Sequence, residues 1–127
     1  MYNKITLVGY TSKDAELRYT PSGTAVCETT IATNHSYKKD GEWQQETLFL
    51  SCTIFGAFAE AMASRLTKGT MVFAEGRLQE QKWETEGEQR RRMVAILSIV
   101  RVLEKKEKEK VREEPQKQRP EDDLEPF

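Results

Sequence analysis

The sequence predicts a small all-β domain, five strands interrupted by one helix, with a charged tail behind it. Three observations carry that reading: stretches that alternate apolar and polar residues, turn-forming dipeptides between them, and one alanine-rich stretch of helical period. Lys4 to Thr11 alternates and forms the first expected strand. Ala25 to Tyr37, rich in threonine and β-branched residues, follows a turn at Pro21-Ser22-Gly23 and forms the second. Asp40-Gly41 supplies a hairpin tip, from which Gln45 to Phe55 returns as the third. Ala57 to Leu66 then places Phe58, Met62 and Leu66 on one helical face and stops at Lys68-Gly69, where glycine suits a helix end. Thr70 to Trp83 is the fourth strand and Gln89 to Leu103 the fifth, joined across Glu86-Gly87.

A helix between the third and fourth of five strands is the layout of an OB-fold, a partly open Greek-key barrel whose outer face often binds oligonucleotides. The expected domain covers residues 1–104. Behind it, residues 105–120 carry seven Lys or Arg against four Glu, and residues 121–127 carry four acidic side chains and no base. Such a charged segment is too polar to build a core, so a disordered linker is expected. It ends in Asp122, Asp123, Leu124, Glu125, Pro126 and Phe127. An aromatic ring behind an acidic run suits a small hydrophobic pocket with a basic rim, so the tip reads as a partner-binding tag.

Composition narrows the function classes. With 127 residues, 32% of them charged and a net charge of −1, the chain reads as one modest soluble domain plus its tail. No basic region followed by an apolar core opens the sequence and no long apolar run occurs, so neither a signal peptide nor a membrane span is expected, and the expected compartment is the cytoplasm. Cys27 and Cys52 are too few for a disulfide framework and lack zinc-ligand spacing; buried free thiols are expected. No phosphate-binding glycine loop and no paired metal-binding carboxylates occur, and His35, the one histidine, has no ligand partner at useful spacing. The reading is therefore no enzyme, no cofactor and no metal.

Strand parity carries the functional expectation. In the third strand Leu48, Leu50, Cys52 and Ile54 point inward, leaving Phe49, Ser51, Thr53 and Phe55 outward. In the fourth, Val72, Ala74, Gly76 and Leu78 point inward and Glu75, Arg77, Gln79, Gln81 and Trp83 outward. Aromatic rings among polar neighbours make a stacking platform, and Tyr37 beside Lys38 and Lys39 is a further candidate. Exposed rings stack on single-strand bases irrespective of sequence, whereas a duplex hides those faces. Lys38, Lys39, Lys82 and the run Arg90-Arg91-Arg92 would supply phosphate contacts.

Several ordered segments, Asn3 to Gly9, Arg18 to Gly23, Ile31 to Asn34, Ile54 to Gly56, Lys68 to Thr70 and Glu75 to Leu78, strongly resemble the bacterial single-stranded DNA-binding protein family, over Met1 to about Leu103 and again at the acidic tip. The resemblance implies a cytoplasmic, nucleoid-associated homotetramer that binds and protects single-stranded DNA and recruits replication, recombination and repair proteins through the tip. It matches the family's stacking rings to Tyr37, Phe49, Phe55 and Trp83, and its phosphate contacts to Arg18, Lys68, Lys82 and Arg90. The sequence departs from enteric relatives at Ser51, Ala57 and Gln81, where those carry basic residues, and at Leu50, where they carry histidine. Glu125 is inserted before the Pro-Phe end. Fewer basic positions imply a shallower salt dependence. The alternative expectation is an OB-fold accessory subunit of a replication or restart complex that mainly docks proteins.

Overall fold

The computed structural model describes residues 1–104; the expected linker and tip lie outside the described residues. Six strands and one helix follow in the order β1 (Ile5–Thr11), β2 (Glu16–Tyr19), β3 (Ala25–Lys39), β4 (Glu42–Phe55), α1 (Ala57–Ala63), β5 (Met71–Thr85) and β6 (Glu88–Glu104). Five of them close the expected barrel: the order β1-β5-β6-β4-β3 returns on itself through Tyr10↔Ala32 and Thr11↔Ile31. β2 is the addition. It pairs with β3 alone as an antiparallel edge strand, and its four residues are all exposed, so no apolar alternation announces it.

Two long hairpins supply most of the barrel. β3 and β4 pair from Val26↔Phe55 to Lys39↔Glu42, and β5 and β6 from Met71↔Glu104 to Thr85↔Glu88. Both tips place a non-glycine and a glycine at positive φ, Asp40 and Gly41 in one and Glu86 and Gly87 in the other, the conformation that a two-residue turn needs to match the strand twist. The ribbons pair directly only along three parallel pairs, Ser51↔Val94, Cys52↔Ala95 and Thr53↔Ile96. Beyond that seam their outer halves are free arms.

The inward side chains of the barrel and one face of α1 form a single core that includes Leu7, Cys27, Ile31, Cys52, Ile54, Val72 and Leu97. Met62 and Leu66 are buried as expected and Phe58 packs half-buried against them, but the helix stops at Ala63. The Met62 carbonyl accepts both the Arg65 and the Leu66 N–H, at 2.9 and 3.1 Å, which tightens the last turn, and the Leu66 carbonyl turns away to accept the Ala15 N–H at 2.9 Å. A threonine knot then docks the α1–β5 loop. Thr11 Oγ1 donates to the Thr67 carbonyl at 2.6 Å and accepts the Thr70 N–H at 3.0 Å, and Thr70 Oγ1 donates to Thr67 at 2.7 Å. Every buried hydroxyl there has a partner, which removes the cost of burying it.

Two expected orientations are corrected. Leu48 has inward parity yet is 54% exposed, because it lies on the free arm before the three-pair seam, with no opposite wall to pack on. Thr53 has outward parity yet is only 5% exposed, flanked by Glu28 and Ile96 in the register. No helix among the described residues is long and apolar enough to cross a membrane.

Gly76 stands beside a bulge in the β5–β6 ladder, where the β6 backbone comes so close that an added Cβ would collide with the Ile96 carbonyl oxygen. Gly76→Ala is expected to lower stability by about 2 to 3 kcal/mol, read as a fall in the denaturant midpoint. Burial raises the pKa of both thiols, pushing Cys52 up to about 12. An acid whose folded pKa is raised adds stability below its unfolded value, and that stability is lost as pH climbs through the window from about 8.5 upward. Iodoacetamide should therefore leave Cys27 and Cys52 unmodified at pH 8 in the folded protein and alkylate both in denaturant.

Candidate nucleic-acid interface

Register decides which outward side chains meet. Across β3 and β4, Phe49 stands opposite Ala32, Ser51 opposite Thr30, Thr53 opposite Glu28 and Phe55 opposite Val26. The seam aligns Ser51 with Val94 and Thr53 with Ile96, and the β5–β6 ladder carries the same face on to Arg77, Gln79, Gln81 with Arg92, and Trp83 with Arg90. Phe49, Phe55 and Trp83 thus share one continuous outer sheet face, with relative exposures of 63%, 48% and 45%. Val26 and Val94 belong to this face by parity, yet they are 2% and 0% exposed. Each is a buried apolar point between cross-strand neighbours: Val26 lies between Arg18 and Phe55, and Val94 between Ser51 and Gln79.

The four expected basic positions separate. Arg90 is the direct cross-strand neighbour of Trp83, and Arg18, opposite Val26 on β2, lies in line with Phe55. Lys82 pairs with Arg91 on the reverse side of the β5–β6 arm. Lys68 sits in the α1–β5 loop, where its N–H donates to Asp14 Oδ1 at 2.8 Å. Tyr37 is also apart by parity. It is half-buried and stacks on His35 with ring centroids 6.0 Å apart, on the ribbon face opposite to that of Phe49.

Arg92 of the expected arginine run lies on the face, and two further residues, Arg77 and Trp43, join it without having been singled out as contacts. Arg77 and Arg92 have the same parity as Trp83, and Arg92 Nε donates to Gln81 Oε1 at 3.4 Å. Trp43 has the parity of Phe49, is 61% exposed, and carries Lys38 Nζ 5.7 Å from its ring centroid, within cation–π range. A third strand that begins at Gln45 leaves Trp43 in the hairpin tip, whereas β4 begins at Glu42 and carries the alternation through Trp43. A shallow depression lined by Gln79, Gln81, Trp83 and Arg92, with Glu80 and Lys82, runs along this arm.

Electrostatically the face is positive but partly self-paired. Arg18 Nη2 donates to Glu28 Oε2 at 2.8 Å, and this hydrogen bond raises the pKa of the guanidinium above its ordinary value. Arg90 lies 3.6 Å from Glu88, and on the reverse side Arg91 lies 3.3 Å from Glu80. Such exposed pairs are weak and yield readily to a better anion. Rings and guanidinium groups on one open sheet can stack planar bases and neutralise phosphates together.

A five-stranded barrel with a ring-and-arginine face defines an oligonucleotide-binding OB-fold protein. The sequence pattern of the "Single-strand binding protein family" matches residues 2–103. The chain therefore belongs to that family, and is a binding protein and not an enzyme. A single-stranded DNA-binding protein of Aquifex aeolicus (strain VF5) is 40% identical over 81% of this chain and 71% of its own length. One from Wolinella succinogenes is 44% identical over 72% of this chain, but the match spans only 57% of that protein. Among solved structures, a Plasmodium falciparum SSB in complex with ssDNA superposes with a TM-score of 0.75, covering 82% of this chain and 96% of that one. At 23% identity that likeness establishes the fold.

Proposed function

We propose that this protein binds and protects single-stranded DNA without regard to sequence, in the cytoplasm at the nucleoid. The observation that carries the reading is the placement of Phe49, Phe55 and Trp83 on one exposed face with Arg77, Arg90 and Arg92. Bases stack on the rings while phosphates follow the arginines, Trp43 extends the path along the β3–β4 arm, and Tyr37, on the opposite face of that arm, meets the strand where it wraps round it. Lys68 and Lys82 reach the strand where it leaves this face and wraps the barrel.

The working unit is a homotetramer. Support comes from a second outer face, on β1 and the adjoining parts of β5 and β6, where Val8 pairs with Phe73 and Tyr10 with Met71. Val8, Tyr10, Ile99 and Leu103 are 49%, 45%, 37% and 52% exposed there, more apolar surface than a lone barrel gains by leaving wet. Asp122, Asp123, Leu124, Pro126 and Phe127 recruit replication, recombination and repair proteins, at a distance set by the linker.

Intrinsic tryptophan fluorescence should be quenched saturably by oligo-dT and not by matched duplex. Phe49→Ala and Trp83→Ala should each weaken binding by about 1 to 3 kcal/mol, while sedimentation still reports the tetramer. A double variant that binds as tightly as the unsubstituted protein but no longer assembles would favour the docking subunit instead. Removing Pro126 and Phe127 should leave oligo-dT affinity nearly unchanged and abolish capture of partner enzymes.

A further inference from the structure

On the reading that this face binds single strands, Glu28 is out of place. Its carboxylate stands on the outer face, one row from the Val26–Phe55 pair, with 31% of its side chain exposed. A polyanion laid across Phe55 must pass beside that negative charge, at a cost that is small in water but larger where the group is half covered. Glu28 is also the tightest ion-pair partner on the face. Arg18 reaches it with two prongs, Nη2 to Oε2 at 2.8 Å and Nε to Oε1 at 3.4 Å. The pair Arg90–Glu88, by contrast, is a single 3.6 Å approach between well-exposed groups, and Arg77 and Arg92 make no ion pair among the described residues.

A guanidinium fork grips a carboxylate and a phosphate through the same donors in the same plane. The two ligands therefore compete for Arg18. We propose that Glu28 is an internal competitor for phosphate, holding Arg18 closed in the free protein so that a strand engages this end of the face only by taking Arg18 from it. The consequence is selectivity. A phosphate alone gains little by exchanging one anion for another at Arg18, whereas a nucleotide that also stacks on Phe55 gains the ring contact. Glu28 thereby biases the Phe55 end of the path toward ligands that bring a base together with a phosphate.

The test is a fluorescence titration with oligo-dT over a range of salt, using the unsubstituted protein, Glu28→Gln, Arg18→Gln and the double variant. Glutamine keeps the shape of Glu28 and removes its charge. Glu28→Gln is expected to bind about two- to fivefold tighter at low salt, and its log–log salt slope should steepen by up to about 0.7, the share of one phosphate on a single strand. In the Arg18→Gln background that gain should vanish. Unchanged or weaker binding by Glu28→Gln would overturn the proposal and make Glu28 a support that positions Arg18. An equal gain with and without Arg18 would overturn it too, since the carboxylate would then act only through long-range charge. Failure of the unsubstituted protein to bind oligo-dT strikes the strand-binding reading itself and takes the competitor with it; binding without the predicted gain strikes the competitor alone.

Discussion

Everything functional in this barrel depends on a seam three residues long. Ser51, Cys52 and Thr53 pair in parallel with Val94, Ala95 and Ile96, the one direct pairing of the β3–β4 ribbon with the β5–β6 ribbon, while β1 bridges the two on the other side of the barrel. Side chains on a strand alternate, so slipping the seam by one residue would send Phe49 and Phe55 to the face opposite from Trp83. The register is secured from inside: Cys52 and Ala95 are 1% and 0% exposed in the core, and a slip would bring them out. Core packing and site geometry are thus one constraint. The buried residues that hold the seam also set the outward residues that line the face.

That coupling explains what could be read from the sequence. The strands, the two tight turns and the outward placement of Phe49, Phe55 and Trp83 are local matters of alternation and turn chemistry, and each is legible one strand at a time. Relations between strands are different. Which arginine of the run lies beside Trp83 follows from the pairing Trp83↔Arg90, which no single strand encodes. Leu48 and Thr53 break the simple inside–outside rule because burial depends on where the opposite wall ends and on which neighbours lie alongside. β2 escapes for a further reason: Leu17 and Tyr19 are exposed, so the strand is held by backbone pairing with β3 and has no buried face to leave a pattern.

The outer face is also more than a wet surface carrying rings. Val26 and Val94 are as buried as core residues while lying on the outer face by parity, so Phe55 and Gln79 each have a buried apolar side chain as cross-strand neighbour. Packing beside such a neighbour restricts the rotamers of a side chain, so part of the ordering cost of a stacked complex is met before any ligand arrives. Phe55, the cross-strand neighbour of Val26, is the clearest case.

The arms beyond the seam have the opposite character. Residues of β3 and β4 near Lys39↔Glu42 and of β5 and β6 near Thr85↔Glu88 are exposed on both sides and are held to their partners by ladder hydrogen bonds without a core behind them. Such ribbons open locally at far lower free energy than the barrel wall, and their amides exchange with solvent correspondingly sooner. Phe49 and Phe55 therefore sit on a stiff anvil near the seam, while Tyr37, Trp43 and Trp83 ride on compliant levers. A bendable polymer meets a surface that is firm at its centre and yielding at its margins, so its grip can be loosened from the edges inward, one arm at a time.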